Sequence, residues 1–187
     1  MQNLLQKVTE FVSESFVKAG KTQNTKHLER TVYWLKQLKP AADEAMLIAA
    51  MSHDIERAFR QEDMEKLKKA AGTLDKEFLN RHQERGSKIM AEFLEKCGAD
   101  KELIAKVERL ITHHEKGGDE EQNLLKDADS ISFFENNIPT FLTKAVAEIG
   151  KEEVRKKFDW MFERIASPEA KEMVKEWYAK AVEGLGN

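Results

Sequence analysis

An all-α, single-domain helical bundle is the fold this sequence predicts, and three observations predict it. Apolar residues recur at three- and four-residue steps almost throughout. Only 9 Gly and 3 Pro occur in 187 residues, too few for a turn-rich β fold or a disordered linker. With 41% hydrophobic residues, the chain can build a real core without disulfides or other staples.

The elements follow in order. A first helix is expected from about Asn3 to Ala19, stopped by Gly20. A second, capped by Asn24 or Thr25, ends before Pro40. Residues 41–60 read as a third, with Ala45, Met46, Ala49, Ala50 and His53 at helical spacing. A shorter charged helix covers about 62–71 and ends at Gly72; another runs from Asp75 to Cys97 and is closed by Gly98. Asp100 starts the next, which is expected to reach about Lys116 before Gly117-Gly118 breaks the chain. Helices over about 123–136, 139–149 (short) and 151–166 follow. Ser167-Pro168-Glu169 is an N-cap with Pro at the first helical position, opening a last helix to about Glu183. The bundle is expected to number about eight to nine helices, the short segments included loosely. No repeat or domain boundary is visible, so residues 1–187 read as one domain.

Composition narrows the function. The 34 acidic and 31 basic residues leave a net charge of −3, which argues against bulk nucleic-acid binding. One cysteine, Cys97, excludes a disulfide framework and a cysteine-based zinc site, and reads as a packed small hydrophobe. No run approaches the roughly 18 apolar residues of a membrane span. The start reads as an amphipathic helix and not as a signal peptide, so a cytoplasmic setting is expected.

Five histidines carry the functional signal: His27, His53, His82, His113 and His114. They fall at helix-plus-loop intervals, so each site comes from a different helix, as in a bundle that builds a metal site from facing side chains. His53-Asp54 ends the apolar run EAMLIAAMSHD, and both side chains tend toward the core. A buried carboxylate needs a partner, and a divalent cation is one that accepts both imidazole and carboxylate. In LLKDADSISFFE, Asp129 lies in line with Leu125 and Phe133, and Asp127 beside Leu124 and Ile131. Either aspartate is a candidate from the pattern alone.

The order of His27, SHD at 52–54 and ADSI at 128–131 resembles the HD superfamily of metal-dependent phosphohydrolases. His82 in RHQERGSKIM and the pair in THHE at 112–115 resemble that superfamily's expanded branch, with two or more metals. The resemblance covers about residues 25–135, leaves about 139–187 as a C-terminal helical extension, and favours Asp129 over Asp127. It implies that His27, His53, Asp54 and Asp129 hold one divalent ion, and that Asp54 bridges to a second, held by His82 and by His113 or His114. The implied ions are Fe, Mn, Co or Ni, with Mg also in range. The text HHEKGGDEEQ lacks the Gly-Tyr-Pro of the branch that cleaves cyclic dinucleotides, so that specificity is not expected.

Cations sit three residues after His27, Asp54, His82 and His113: Arg30, Arg57, Arg85 and Lys116, in that order. That spacing puts each one turn from a ligand, where it would meet phosphate oxygens. The expected function is hydrolysis of a small phosphorylated compound, a phosphomonoester or nucleotide. Asp54 is the expected metal bridge, Arg57 the charge stabiliser, and Asp129 orients water or accepts its proton. A di-iron oxygenase and a non-catalytic metal or nucleotide sensor are the alternatives, and the full donor set argues against the sensor. Trp34 or Phe134 could stack on a nucleobase, and the apolar faces of the tail cover the core or form a homodimer contact.

Overall fold

The computed structural model describes residues 3–72 and 74–186, with backbone only at 70 and 71. Among them there are eleven helices and no strand: α1 (Leu4–Lys18), α2 (Gln23–Leu38), α3 (Glu44–Ser52), α4 (Glu56–Phe59), α5 (Glu62–Ala71), α6 (Lys76–Lys96), α7 (Lys101–Thr112), α8 (Glu120–Asn136), α9 (138–149), α10 (Lys151–Glu163) and α11 (Pro168–Gly184). The expected eight to nine is therefore too few. The predicted helix over 41–60 is two helices, because side chains at its centre take over backbone carbonyls. Ser52 Oγ donates to Ile48 O at 2.7 Å and His53 Nδ1 to Ala50 O at 3.0 Å. The chain then turns through tight i→i+3 bonds, Ile55 N to Ser52 O and Arg57 N to Asp54 O.

Aspartates cap most of the central helices. Asp43, Asp75, Asp100 and Asp119 each accept from the backbone N–H three residues on, and Asn3 and Asp119 complete capping boxes with Gln6 and Gln122. Ser167 caps α11 ahead of Pro168, as its sequence demands. The expected cap on α2 is absent: that helix starts at Gln23, after Thr22, with no side-chain cap.

Two cores share one helix. α3 is apolar on almost every side and buried on almost every side, as a central helix must be. It packs against α1, α2 and α7, and its Met46, Ile48, Ala49 and Ala50 join Val8, Val12, Phe16, Leu28 and Leu35 in the first core. The second core lies under the C-terminal helices, where Phe158, Val174 and Ala181 meet Ile131, Phe133 and Phe134. α8 runs between the two. Leu125 and Ala128 serve the first core, Ile131 and Phe133 the second, and α8 is buried from Leu125 to Phe134. A smaller cluster of Met64, Phe78 and Leu79 seats α5 on α6. No helix among the described residues is long and apolar enough to cross a membrane.

Candidate metal centre

Buried polar residues are rare in a bundle of this size, and here they gather. His27 of α2, His53 and Asp54 after α3, His82 of α6, His114 after α7 and Asp129 of α8 are all buried. Potential ligand atoms of His27, His53 and Asp54 lie within 4.8 Å of one another, as do those of Asp54, His82 and His114. Asp54 belongs to both groups. Asp129 Oδ1 completes the first, 2.9 Å from His27 Nε2 and 3.5 Å from His53 Nε2.

The hydrogen bonds fix which ring nitrogen of each histidine faces inward. A carbonyl only accepts, so Nδ1 of His53 carries its proton toward Ala50 O, and Nδ1 of His114 toward Ile111 O at 2.7 Å. In the neutral form of each ring, the form a metal takes, a bare Nε2 lone pair then faces the cluster, and no hydrogen bond reaches either atom. Ser132 Oγ donates to His27 O at 2.8 Å and so accepts from His27 Nδ1 at 2.9 Å. That leaves His27 Nε2 against a carboxylate oxygen. His82 sits between two carboxylates, Nδ1 to Glu56 Oε2 at 2.8 Å and Nε2 to Asp54 Oδ1 at 3.0 Å. Inward Nε2 atoms with Nδ1 held by a carbonyl, hydroxyl or carboxylate are how metal-binding histidines are oriented. The residues present therefore fit one or two divalent ions.

Charge agrees with this fit. Burial alone would raise the Asp54 carboxyl, but Arg57, with Nε 3.0 Å from Oδ1, and His82 hold it well below its usual range. Asp129 is likewise buried, and Arg164 and His53 hold it well below that range. Against the effect of burial, Asp129 raises His53, and Asp54 and Glu56 raise His82. Burial lowers His114 to about 4, which keeps it neutral. Glu56 and Glu115 are both lowered to about 2 in spite of burial, the first by His82 and Arg60, the second by Arg164 and His114.

Six of the predicted donors meet: His27, His53, Asp54, His82, His114 and Asp129. His113 does not join them. It is half-buried outside the cluster, with Nδ1 donating to Arg109 O at 3.0 Å. Asp127 is buried for another purpose, accepting from Ala166 N at 2.7 Å and Ser167 N at 2.8 Å to hold the start of α11. Of the four predicted phosphate cations only Arg57 stands at the cluster. Arg30 binds Glu135 and lies over the Tyr33 ring, Arg85 binds Asp63, and Lys116 binds Asn80. Phe134 is buried against Phe133 and Tyr178 and is not free to stack on a base, while half-buried Trp34 donates from Nε1 to Glu135 at 2.9 Å.

The sequence reading missed the contribution of the C-terminal helices. Arg164, after α10, donates from Nε to Ser130 Oγ at 2.9 Å and from its two Nη atoms to Asp129 and Glu115. Beside the cluster lies a cavity of about 130 Å³ whose lining includes His82, Arg57, Arg60, Lys68, Lys157 and Phe141. Phe141 starts a π-turn over Phe141–Ala145 that bulges α9. Gly117, at φ 75°, turns the chain from the His114 segment toward α8, and a Cβ there would collide with Asn123.

The fold of the described residues is all-α. It is similar to a crystal structure, at 1.45 Å, of a predicted HD superfamily hydrolase from an uncultured Thermotogales bacterium. The TM-score is 0.58 at 21% identity, over 96% of this chain and 87% of that one. The chain belongs to the family described as a domain of unknown function, DUF4202, whose model matches residues 10–181. No curated protein matches it.

Proposed function

We propose that this protein is a metal-dependent phosphohydrolase acting on a small phosphorylated compound, a phosphomonoester or nucleotide. One observation carries the reading. Two histidine groups share Asp54, with two buried Nε2 atoms left unpartnered, beside a cavity walled by cations. His27, His53, Asp54 and Asp129 would hold one ion, and Asp54, His82 and His114 a second. Such ions supply Lewis acidity and a water acidified from about 15.7 towards about 7.

The chain's own residues do the rest. Arg57 gives Nε to Asp54 and lines the cavity, so its remaining N–H groups are available to phosphoryl oxygens. That contact offsets charge that grows in the transition state. Asp129, held ionised by Arg164, suits orienting a water better than accepting its proton. Glu56 keeps His82 turned so that Nε2 faces Asp54. The half-buried walls limit bulk water and strengthen each of these interactions.

The test is a screen of protein loaded with manganese or iron against phosphomonoesters, nucleotides and cyclic dinucleotides, with oxygen uptake followed in parallel. Phosphate release without oxygen is the expected result. Oxygen uptake without phosphate release would replace the hydrolase reading with the oxygenase.

A further inference from the structure

The cavity beside the cluster holds more positive charge than one reacting phosphoryl group uses. Arg60 is committed to Glu56, through Nε at 3.0 Å and Nη2 at 2.6 Å, and Arg57 gives Nε to Asp54. Lys68 of α5 and Lys157 of α10 line the same cavity, and neither forms an ion pair among the described residues. Lys157 lies 4.2 Å from the centre of the Trp160 ring. Burial lowers Lys157 to about 8 against the pull of Glu115, with Arg164 and Arg57 pushing the same way. Burial likewise lowers Lys68 against the pull of Glu65, with Arg60 and Arg57 adding to it. Among the described residues Glu115 is the one carboxylate of the lining, and it is already paired with Arg164, so two ammonium groups from separate helices, crowded by the same Arg57, mark a position for an anion. Phe78, Leu79 and Phe141 supply apolar wall, which strengthens charge–charge attraction there.

Size and position limit what that anion is. A cavity of about 130 Å³ has room for an oxyanion the size of a phosphoryl group and not for a nucleoside. His82 and Arg57 form its wall toward the donor cluster, so its occupant lies next to whatever faces that cluster. Lys68 also lines a larger cleft of about 730 Å³ with Glu65, Lys69, Ile149 and Glu153, on the side where an organic group can leave.

We infer that the substrate is an organic diphosphate, whose terminal phosphoryl group faces the His/Asp cluster while Lys68 and Lys157 hold the inner one. Its assignment to a substrate rests on the hydrolase reading; the anion position itself does not. Hydrolysis would join a water oxygen to the terminal phosphorus and break the P–O–P bridge. The bridging oxygen departs on the inner phosphoryl group, orthophosphate is released, and the net proton passes to solvent.

Two titrations separate the inference from the reading beneath it. Orthophosphate titrated into metal-free protein should bind, and the Lys68→Gln/Lys157→Gln double variant should weaken it at least about fivefold. Lys66→Gln, which removes only an exposed pair with Glu62, should change nothing. Absence of wild-type binding, or equal binding by a folded double variant, would overturn the anion position, whether or not the protein is a hydrolase. In manganese-loaded protein, methylenediphosphonate should bind about tenfold tighter than orthophosphate, and the double variant should lose that preference. No preference in the wild type, or equal affinity for propane-1,3-diol bisphosphate, would overturn the linked pair. If no compound releases phosphate while both binding patterns hold, the hydrolase reading falls and the subsite stands. Thermal melts of each variant confirm folding.

Discussion

The helices α1–α8 and the helices α9–α11 divide the site between them. Every histidine and both aspartates of the cluster come from the first group. The second group brings Lys157 and Arg164, and Phe141 in the cavity wall. A donor set of carboxylates buried this deeply is stable only with opposite charge nearby. The first group partly supplies it, through Arg57 on Asp54 and Arg60 on Glu56. Asp129 and Glu115 instead depend on Arg164. The C-terminal helices thus supply part of the counter-charge of a donor cluster to which they contribute no donor.

The largest expected effect comes from the residue both donor groups share. Asp54→Asn should remove all bound metal and lower phosphate release by at least about 1,000-fold, read by elemental analysis and a phosphate assay. A variant that keeps as much metal as the wild type would break the division of labour at its first half. Next is Arg164→Leu, which leaves Asp129 and Glu115 buried without their cation. It should destabilise the fold by about 3–5 kcal/mol in denaturant titration, whereas Arg30→Ala, on a half-exposed pair with Glu135, should cost under about 1 kcal/mol. Similar losses from the two would erase the distinction between the regions.

Acidity sharpens the comparison further. Glu56 and Glu115 stand at about 2 in the fold against an ordinary 4.5. Unfolded chains then bind more protons between those values, so stability is full above about 4.5 and is lost as pH falls toward about 2. Each group accounts for roughly 3 kcal/mol of that loss. The metal-free protein should lose stability on the other side as well. His53 and His82 are raised from 6.5, so their contribution is complete below about 6.5 and fades as pH rises through the folded values. Metal loading should abolish that alkaline loss, because ligation takes the neutral ring. Melting curves from pH 3 to 9, with and without metal, read both limbs. A smaller effect is expected of Arg57→Ala, which should keep the metal and raise KM about 10- to 100-fold. The smallest belongs to Arg85→Ala, whose partner is the exposed Asp63 and whose activity should change less than about twofold.

The all-α class could be read from residue patterns, and the inward-facing donors from those patterns together with the HD resemblance, which chose Asp129 over Asp127. The phosphate cations could not, and the reason is geometric. An i+3 cation shares a helix face with its ligand, but a long side chain swings to the nearest carboxylate, as Arg30 does to Glu135 and Arg85 to Asp63. Arg57 is the one of the four whose nearest carboxylate is the donor itself, Asp54. Arg164 and Lys157 meet the cluster only through tertiary packing, which no local spacing reports. The choice between His113 and His114, by contrast, was present in the pattern. His114 continues the buried face of Val107, Leu110 and Ile111, while His113 follows Arg109.

Elemental analysis of the purified, reconstituted protein beside its His113→Ala and His114→Ala variants tests the metal centre most directly. Wild type and His113→Ala should hold the same content, between about one and two equivalents of transition metal, and His114→Ala should hold less. A folded wild-type protein that takes up none would contradict the account.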